Sequence, residues 1–466
     1  MIFFFPLYFL FFLFEITKSS NLFIPFKVQN LNISQNEKML VNYIYKDIFV
    51  NLLIGNPPQK IKLSPCLGEY TTFVLSYDTE GFEGGTYNKN LSNSYKSLIE
   101  GDEPEYYIFQ TFSLGIKSLE KFIIGEKETN EIEINNLEFI LASEVNDNCY
   151  NPYCEYLTQP GILGFQIYQL PNQFQENVSS SNFISQLKKK DLIPDYYFSF
   201  HFDSENSGNI IIGLKPDEYN SSNYKLKEYC FVKTSISSKE YLDWSIKFDN
   251  IYYGNTELSN EYSILLRIEF GLITGYYEWE KILKAEFFDK LIEEKKCFKD
   301  YTHFLGSTAY FYYCNKSTNI SNFKPLSFSI NEYQYNFTLD YKDLFIEVED
   351  KYLFLMIFGG IYDLILGYPF LKKYEIIFNQ DIRTIGFYKD KSNKDNSDNS
   401  SSSSNTYYYI IIISLSIILC LLIYFGINLY VKRRKTEKKY AVELYSDKKE
   451  DNDNKNDLLY DGALNN

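Results

Sequence analysis

A chain of 466 residues that is 45% hydrophobic can bury a large core, and on length alone two or three domains are expected. Its formal net charge of -15 at pH 7 gives a surface that repels phosphate backbones, which argues against nucleic acid as a partner. Tyr (44) and Phe (40) are abundant and favour strands, but a compositional bias of the source would produce the same excess, so neither carries a functional reading.

In chain order, Ile2 to Phe14 is almost wholly apolar and is followed by Ser19-Ser20. Residues 1–20 therefore read as a secretory signal peptide, although no Lys or Arg precedes the apolar run; the alternative is a buried strand at the start of a domain. From about 40 to 389 the pattern is mostly β. Short Val/Ile/Phe/Tyr runs such as FVNLLIG, NIIIGL and SFSINEYQYNFTL alternate with turn residues. Two helices are predicted. Phe183 to Lys190 carries Phe183, Ile184 and Leu187 at helical spacing, and Tyr277 to Glu294 carries a core-facing stripe from Trp279 to Leu291.

Residues 390–406 are polar and low in complexity, as expected of a flexible stalk. Tyr407 to Val431 then runs for 25 residues without a charge, long enough to cross roughly 30 Å of hydrocarbon as one transmembrane helix. Lys432, Arg433, Arg434 and Lys435 follow at once and mark the cytosolic side. The expected topology is a single-pass type I membrane protein of the cell surface or endomembrane system, with a charged cytosolic tail at 432–466. In that tail Tyr440 to Leu444, YAVEL, is a candidate sorting signal for clathrin adaptors. Eight N-x-S/T sequons begin at Asn32, Asn90, Asn177, Asn220, Asn315, Asn319, Asn336 and Asn399, all on the luminal side of this topology.

Seven cysteines in an oxidising compartment invite pairing. Cys149 and Cys154 are close enough to close a small loop, and Cys297 and Cys314 bracket another. Cys420 lies in the membrane span, and Cys66 and Cys230 are left either free or joined to each other.

There is also a faint internal repeat. GILG at 161–164 and LILG at 364–367 lie 203 residues apart; KIKLSPCLG around Cys66 and ILLRIEFG around Arg267 lie 201 apart. Two matched pairs at nearly one offset suggest two similar lobes.

These segments, taken together, resemble the pepsin-like aspartic peptidases from about Asp47 to Tyr388. IGNPPQKIKL (54–63) is similar to that family's first hairpin, QPGILGF (159–165) to its first-lobe glycine strand, and LIPDYYFSFHF with SGNIIIGLKPDEY (192–219) to the passage between lobes. LILGYPFLKKYEIIFNQDIRTIGFY (364–388) is similar to its C-terminal signature, and Cys297 and Cys314 sit where it often has a second-lobe disulfide. The resemblance implies a mostly β, bilobal acid-protease fold, with lobe 1 at about 40–220 and lobe 2 at about 221–389.

Family chemistry uses two D-T-G turns, whose aspartates share a proton and activate a water between them. The resemblance puts Cys66-Leu67-Gly68 and Arg267-Ile268-Glu269 at those turns, so both aspartates are absent. A thiol and a permanently protonated guanidinium cannot act as that base. The flap position, normally Tyr, falls on Phe112, and the stretch before the first hairpin is too short for the usual basic prosegment. Glu69 and Glu269 flank the lost positions asymmetrically and read as rim or turn carboxylates. An Arg267 charge at the cleft floor would favour an anion and lower the Cys66 thiol pKa. His201 and His303 are the only histidines and read as core or surface residues; no zinc spacing, phosphate loop or Ser-His-Asp arrangement stands out, and no cofactor is expected. The expected function is binding of a peptide or protein in the interlobe cleft, without catalysis. The competing class is an active aspartic-type endopeptidase with a non-standard active site, which two carboxylates facing each other across the cleft base would favour.

Overall fold

The computed structural model describes residues 22–29, 47–79, 86–98, 105–106, 112–125, 131–145, 159–167, 182–234, 243–304, 307–359 and 364–391, with residues 424 and 427. The signal-peptide segment, Asn32, Cys149, Cys154, Asn177, Asn399, the stalk beyond 391, most of the 407–431 span, Tyr440 and Leu444 lie outside the described residues. Among the described residues no helix is long and apolar enough to cross a membrane.

Strands dominate, in two sheets of fourteen and eleven. The alternation of the sequence becomes the alternation of burial. In the strand Leu22–Gln29, the side chains of Leu22, Ile24, Phe26 and Val28 are buried while Phe23, Lys27 and Gln29 face outward. This strand lies between the strands Ser207–Ile212 and Asp47–Ile54. The folded region therefore begins upstream of residue 40, where the sequence reading opened its domain.

The repeat at 161 and 364 is a repeat of topology. In the first sheet, Gly161–Gly164 runs parallel to Gln59–Cys66 and antiparallel to Phe73–Leu75, which in turn runs parallel to Ile132–Val145. In the second, Ile365–Leu366 runs parallel to Thr256–Leu266 and antiparallel to Ile273–Gly275, which runs parallel to Met356–Gly359. Cys66 stands opposite Gly164, and Leu266 opposite Leu366. Arg267 therefore falls opposite Gly367, the counterpart of Gly164.

Both glycines are forced by close approach. A Cβ on Gly164 would lie 2.6 Å from the Thr71 carbonyl oxygen, and one on Gly367 2.3 Å from that of Leu272. Those carbonyls belong to the segments that leave the Cys66 and Arg267 turns, so each glycine fixes the depth of its turn.

The predicted helix at 183 forms as Phe183–Lys189, its first turn capped by the Asn182 side chain accepting from the Ser185 N–H at 3.0 Å. The predicted helix at 277 forms as Tyr277–Leu283, a wider π turn at Lys284–Phe288, and Asp289–Glu293; Trp279, Leu283 and Phe288 face the core. A simple lobe boundary near 220 does not describe the sheets. Ile377–Asn379 and Thr384–Asp390 return to the first sheet, and Lys227–Lys233 joins it along Thr384–Asp390.

That return is tied by one carboxylate. Glu375 accepts from His201 Nδ1 at 3.1 Å, from the Tyr219 hydroxyl at 2.9 Å and from the Tyr224 hydroxyl. His201 sits on the strand Tyr197–Phe202, while Tyr219 and Tyr224 sit on the helical turns joining the two halves of the chain. The bond to Glu375 raises the His201 pKa above its ordinary 6.5, against the opposing effect of burial. The protonated form is therefore favoured by folding. Its contribution is complete below about pH 6.5 and is lost as pH rises through the folded-state value.

Two outcomes are expected. Gly367→Ala should cost about 1–3 kcal/mol by overpacking, read as a lower denaturation midpoint with the strand content of the folded state retained. The thermal midpoint should fall between pH 6 and pH 9, and His201→Gln should flatten that decline; an unchanged profile in the variant would remove the Glu375 tie as its cause.

Candidate functional site

The two matched turns meet at a buried floor. The first carries Cys66, which ends its strand, then Leu67, Gly68 and Glu69; the second carries Arg267, Ile268 and Glu269. Leu67 and Ile268, at equivalent places, are both fully buried in the main core cluster. The Cys66 carbonyl accepts from the Phe165 N–H at 2.9 Å, and the Leu366 carbonyl accepts from the Arg267 N–H at 3.2 Å. The strands carrying the two repeated glycines thus hold both turns in place.

Arg267 reaches across between the halves. Its Nη1 donates to the Leu67 carbonyl at 3.2 Å, its Nη2 pairs with Asp243 Oδ1 at 2.9 Å, and its Nε lies 3.8 Å from Glu269 Oε1. The Asp243 oxygen also accepts from Gln166 Nε2 at 2.6 Å. Glu269 points back into the first half, where Oε1 accepts from the Cys66 thiol at 3.4 Å and Oε2 from the Leu67 N–H at 3.3 Å. Gly68 makes room for this arrangement. A Cβ there would lie 3.1 Å from Glu269 Oε1 and 3.3 Å from the Arg267 guanidinium carbon.

The electrostatics differ from the sequence expectation in two respects. Burial pushes the Cys66 thiol well above its ordinary value, and the Glu269 and Glu69 carboxylates add to the rise; Arg267 pulls the other way and does not win. The thiol is a neutral donor, not an activated thiolate. Nor does the guanidinium present a free positive charge that would attract an anion, because Asp243 and Glu269 flank it. Burial also raises the Glu269 pKa, with Arg267 opposing.

Glu269, read from sequence as a rim carboxylate, is a central member of the floor. Glu69 is buried too, and its carbonyl accepts from the Gln166 N–H at 2.8 Å. Asp243 and Gln166 were not singled out by sequence. Asp243 directly precedes Trp244, whose indole N–H donates to the Phe165 carbonyl at 2.8 Å, but no spacing rule links either residue to Arg267.

The remaining sequence candidates fall elsewhere. Phe112 begins the strand Phe112–Ile124, where its backbone pairs with Val145. Cys297 and Cys314 are joined as a disulfide across adjacent antiparallel strands, while Cys66 and Cys230 are free and buried. Asn90, Asn319 and Asn336 are exposed, and Asn220 and Asn315 partly so. His201 belongs to the Glu375 tie, and His303 lies on the strand Cys297–Phe304. Among the described residues no group of three or more His, Cys, Asp or Glu could hold a metal ion.

Two sheets that repeat one crossover of strands, with a turn from each meeting at a shared floor, define the class of the two-turn acid-protease fold. The model of the eukaryotic aspartyl protease family matches residues 48–389, and the chain belongs to that family. No curated protein matches the chain.

If Arg267 holds the floor together, Arg267→Met should strand Asp243 and Glu269 as buried charges and cost about 3–5 kcal/mol at neutral pH. The loss should shrink at pH 4, where Glu269, whose pKa burial already raises, takes up a proton more readily. Denaturant unfolding at the two pH values checks this; equal or negligible losses at both would reject the ion-pair account.

Proposed function

We propose that the chain is a catalytically inactive member of its family, anchored as a single-pass type I membrane protein by residues 407–431, which binds an extended peptide or protein segment between its two lobes. The observation that carries the reading is the placement of the floor carboxylates. Peptide hydrolysis by this family needs two carboxylates sharing a proton around one water. Here Asp243 and Glu269 sit on either side of a guanidinium that stays protonated, so a proton shared between them is replaced by a fixed positive charge. Cys66 adds a neutral thiol, with no histidine described beside it to act as a base.

Binding in place of catalysis is supported by what the fold retains. Both turns, both glycine strands and the apolar residues beneath them are in place, so the surface between the sheets follows from the architecture rather than from the catalytic groups. An extended segment laid there would gain main-chain hydrogen bonds by strand addition, with side-chain pockets giving selectivity. The exposure of Asn90, Asn319 and Asn336 suits glycosylation on a luminal surface.

The second reading, an active endopeptidase with a non-standard site, draws on Glu269, a partly buried carboxyl whose pKa is raised. One experiment separates them. Incubated with an unfolded protein from pH 3 to 7, the purified chain should yield no cleavage, and pepstatin should not bind it tightly. Cys66→Asp alone should not restore turnover, because the new carboxylate would be held ionised by the Arg267 guanidinium, which leaves no proton for it to share with Glu269. Pepstatin-sensitive cleavage that disappears in Glu269→Gln would establish the enzyme reading instead.

A further inference from the structure

We propose that the grip of the second turn on Leu67 is a latch between the two halves of the chain, and that uptake of a proton by Glu269 tightens it. The latch closes on a single residue. The Leu67 N–H donates to Glu269 Oε2 at 3.3 Å, and the Leu67 carbonyl accepts from Arg267 Nη1 at 3.2 Å. Both main-chain groups of a first-half residue are thus held by side chains of one second-half turn. The Cys66 thiol adds a further contact, to Glu269 Oε1 at 3.4 Å. The Leu67 side chain is buried in the core cluster that also holds Ile268. Parting the turns here would wet that apolar surface and leave the main-chain groups in need of new partners.

The sign of the pH dependence follows from what closure changes around Glu269. Arg267 lies on the same turn, its Nε 3.8 Å from Oε1, and travels with the carboxylate. Its attraction for the ionised form therefore largely cancels between the open and closed floor, and Asp243, 2.9 Å from Nη2, already draws on the same guanidinium. Closure adds burial, the Cys66 thiol, the Leu67 N–H and the charge of Glu69, which is buried on the first turn. Burial disfavours the charged carboxylate and is the largest influence on Glu269; the bonds from Cys66 and Leu67 oppose it more weakly. Glu69 brings a like charge nearer and acts with burial. The closed floor therefore favours the protonated carboxyl, which still accepts from the Leu67 N–H through its carbonyl oxygen. This contribution is complete below about pH 4.5, the ordinary value of the group, and is lost as pH rises through the value in the closed floor. The inference deepens the reading of this surface as a peptide site and rests on it for its consequence: a segment between the halves would be held most firmly in acid.

The test follows amide hydrogen exchange at Leu67 in the full chain without ligand, at pH 4 and pH 7, with the intrinsic pH dependence of exchange removed. The amides of the strand Thr256–Leu266 serve as reference for opening of the fold as a whole. Relative to them, Leu67 should be about ten-fold better protected at pH 4 than at pH 7. Glu269→Gln keeps an acceptor but cannot titrate, and should lose that rise; Glu69→Gln should keep it. Thermal midpoints confirm that both variants are folded. Leu67 protection that stays level or falls in acid in the unmodified chain would overturn the proposal. So would a rise that persists in Glu269→Gln, or one that disappears in Glu69→Gln. The readout needs no peptide, so a chain that binds none would fail the proposed function and leave the latch still measured.

Discussion

A guanidinium buried between two sheets is the constraint on which the rest of the floor depends. Arg267 cannot lose its proton, and an unpaired charge at that depth would cost several kcal/mol. Every neighbour is arranged around that fact. Asp243 and Glu269 supply the opposite charge, the Leu67 carbonyl takes a third contact, and Gln166 holds Asp243 from behind. Because Arg267 and Glu269 come from the second half while Leu67 and Gln166 come from the first, the same contacts knit the halves together. Gly68 is required for a related reason: its missing side chain is the space into which Glu269 and the guanidinium fit.

The consequence for chemistry follows from proton affinity. A pair of carboxylates that must share a proton needs an environment in which a second ionisation is unfavourable. A fixed cation between two carboxylates reverses that preference and favours ionisation of both. Burial pushes in the other direction at Glu269, but what it leaves is a single carboxyl bonded to a neutral thiol and a main-chain N–H. The proposed loss of catalysis therefore rests on a complete local network in which each group already has its partner, and not only on two missing residue types.

Much of this was legible in the sequence, for reasons that differ between features. Period-two burial in Leu22–Gln29 and the stripe of Tyr277 to Glu294 are local, so the order of side chains reveals them directly. The repeat was legible because Gly164 and Gly367 answer the same steric demand twice, at positions where no Cβ fits. Pairing of Asp243 with Arg267, or of Glu269 with Cys66, leaves no periodic trace. These contacts depend on how strands from distant parts of the chain are brought together. For the same reason the charge on Arg267 could be read as free and attractive to anions, when its partners were simply out of view. The strand at Leu22 and the return of Thr384–Asp390 were not placed in the first sheet, since each is an interior strand whose neighbours come from distant parts of the chain.

The substitutions at the two turns also agree with one another. Where the family resemblance places hydroxyl residues that support the aspartates, Leu67 and Ile268 stand fully buried in the apolar core. A hydroxyl there would need a hydrogen-bond partner, and with no aspartate to meet it the group would sit buried and unsatisfied. Apolar replacements remove that demand and add packing beneath the turns. The remaining polar groups then close upon themselves through Arg267. A floor that satisfies its own hydrogen bonds has little to offer a water or a scissile amide. Any affinity for an extended segment must therefore come from the walls between the sheets, where the fold itself, rather than the lost dyad, determines shape.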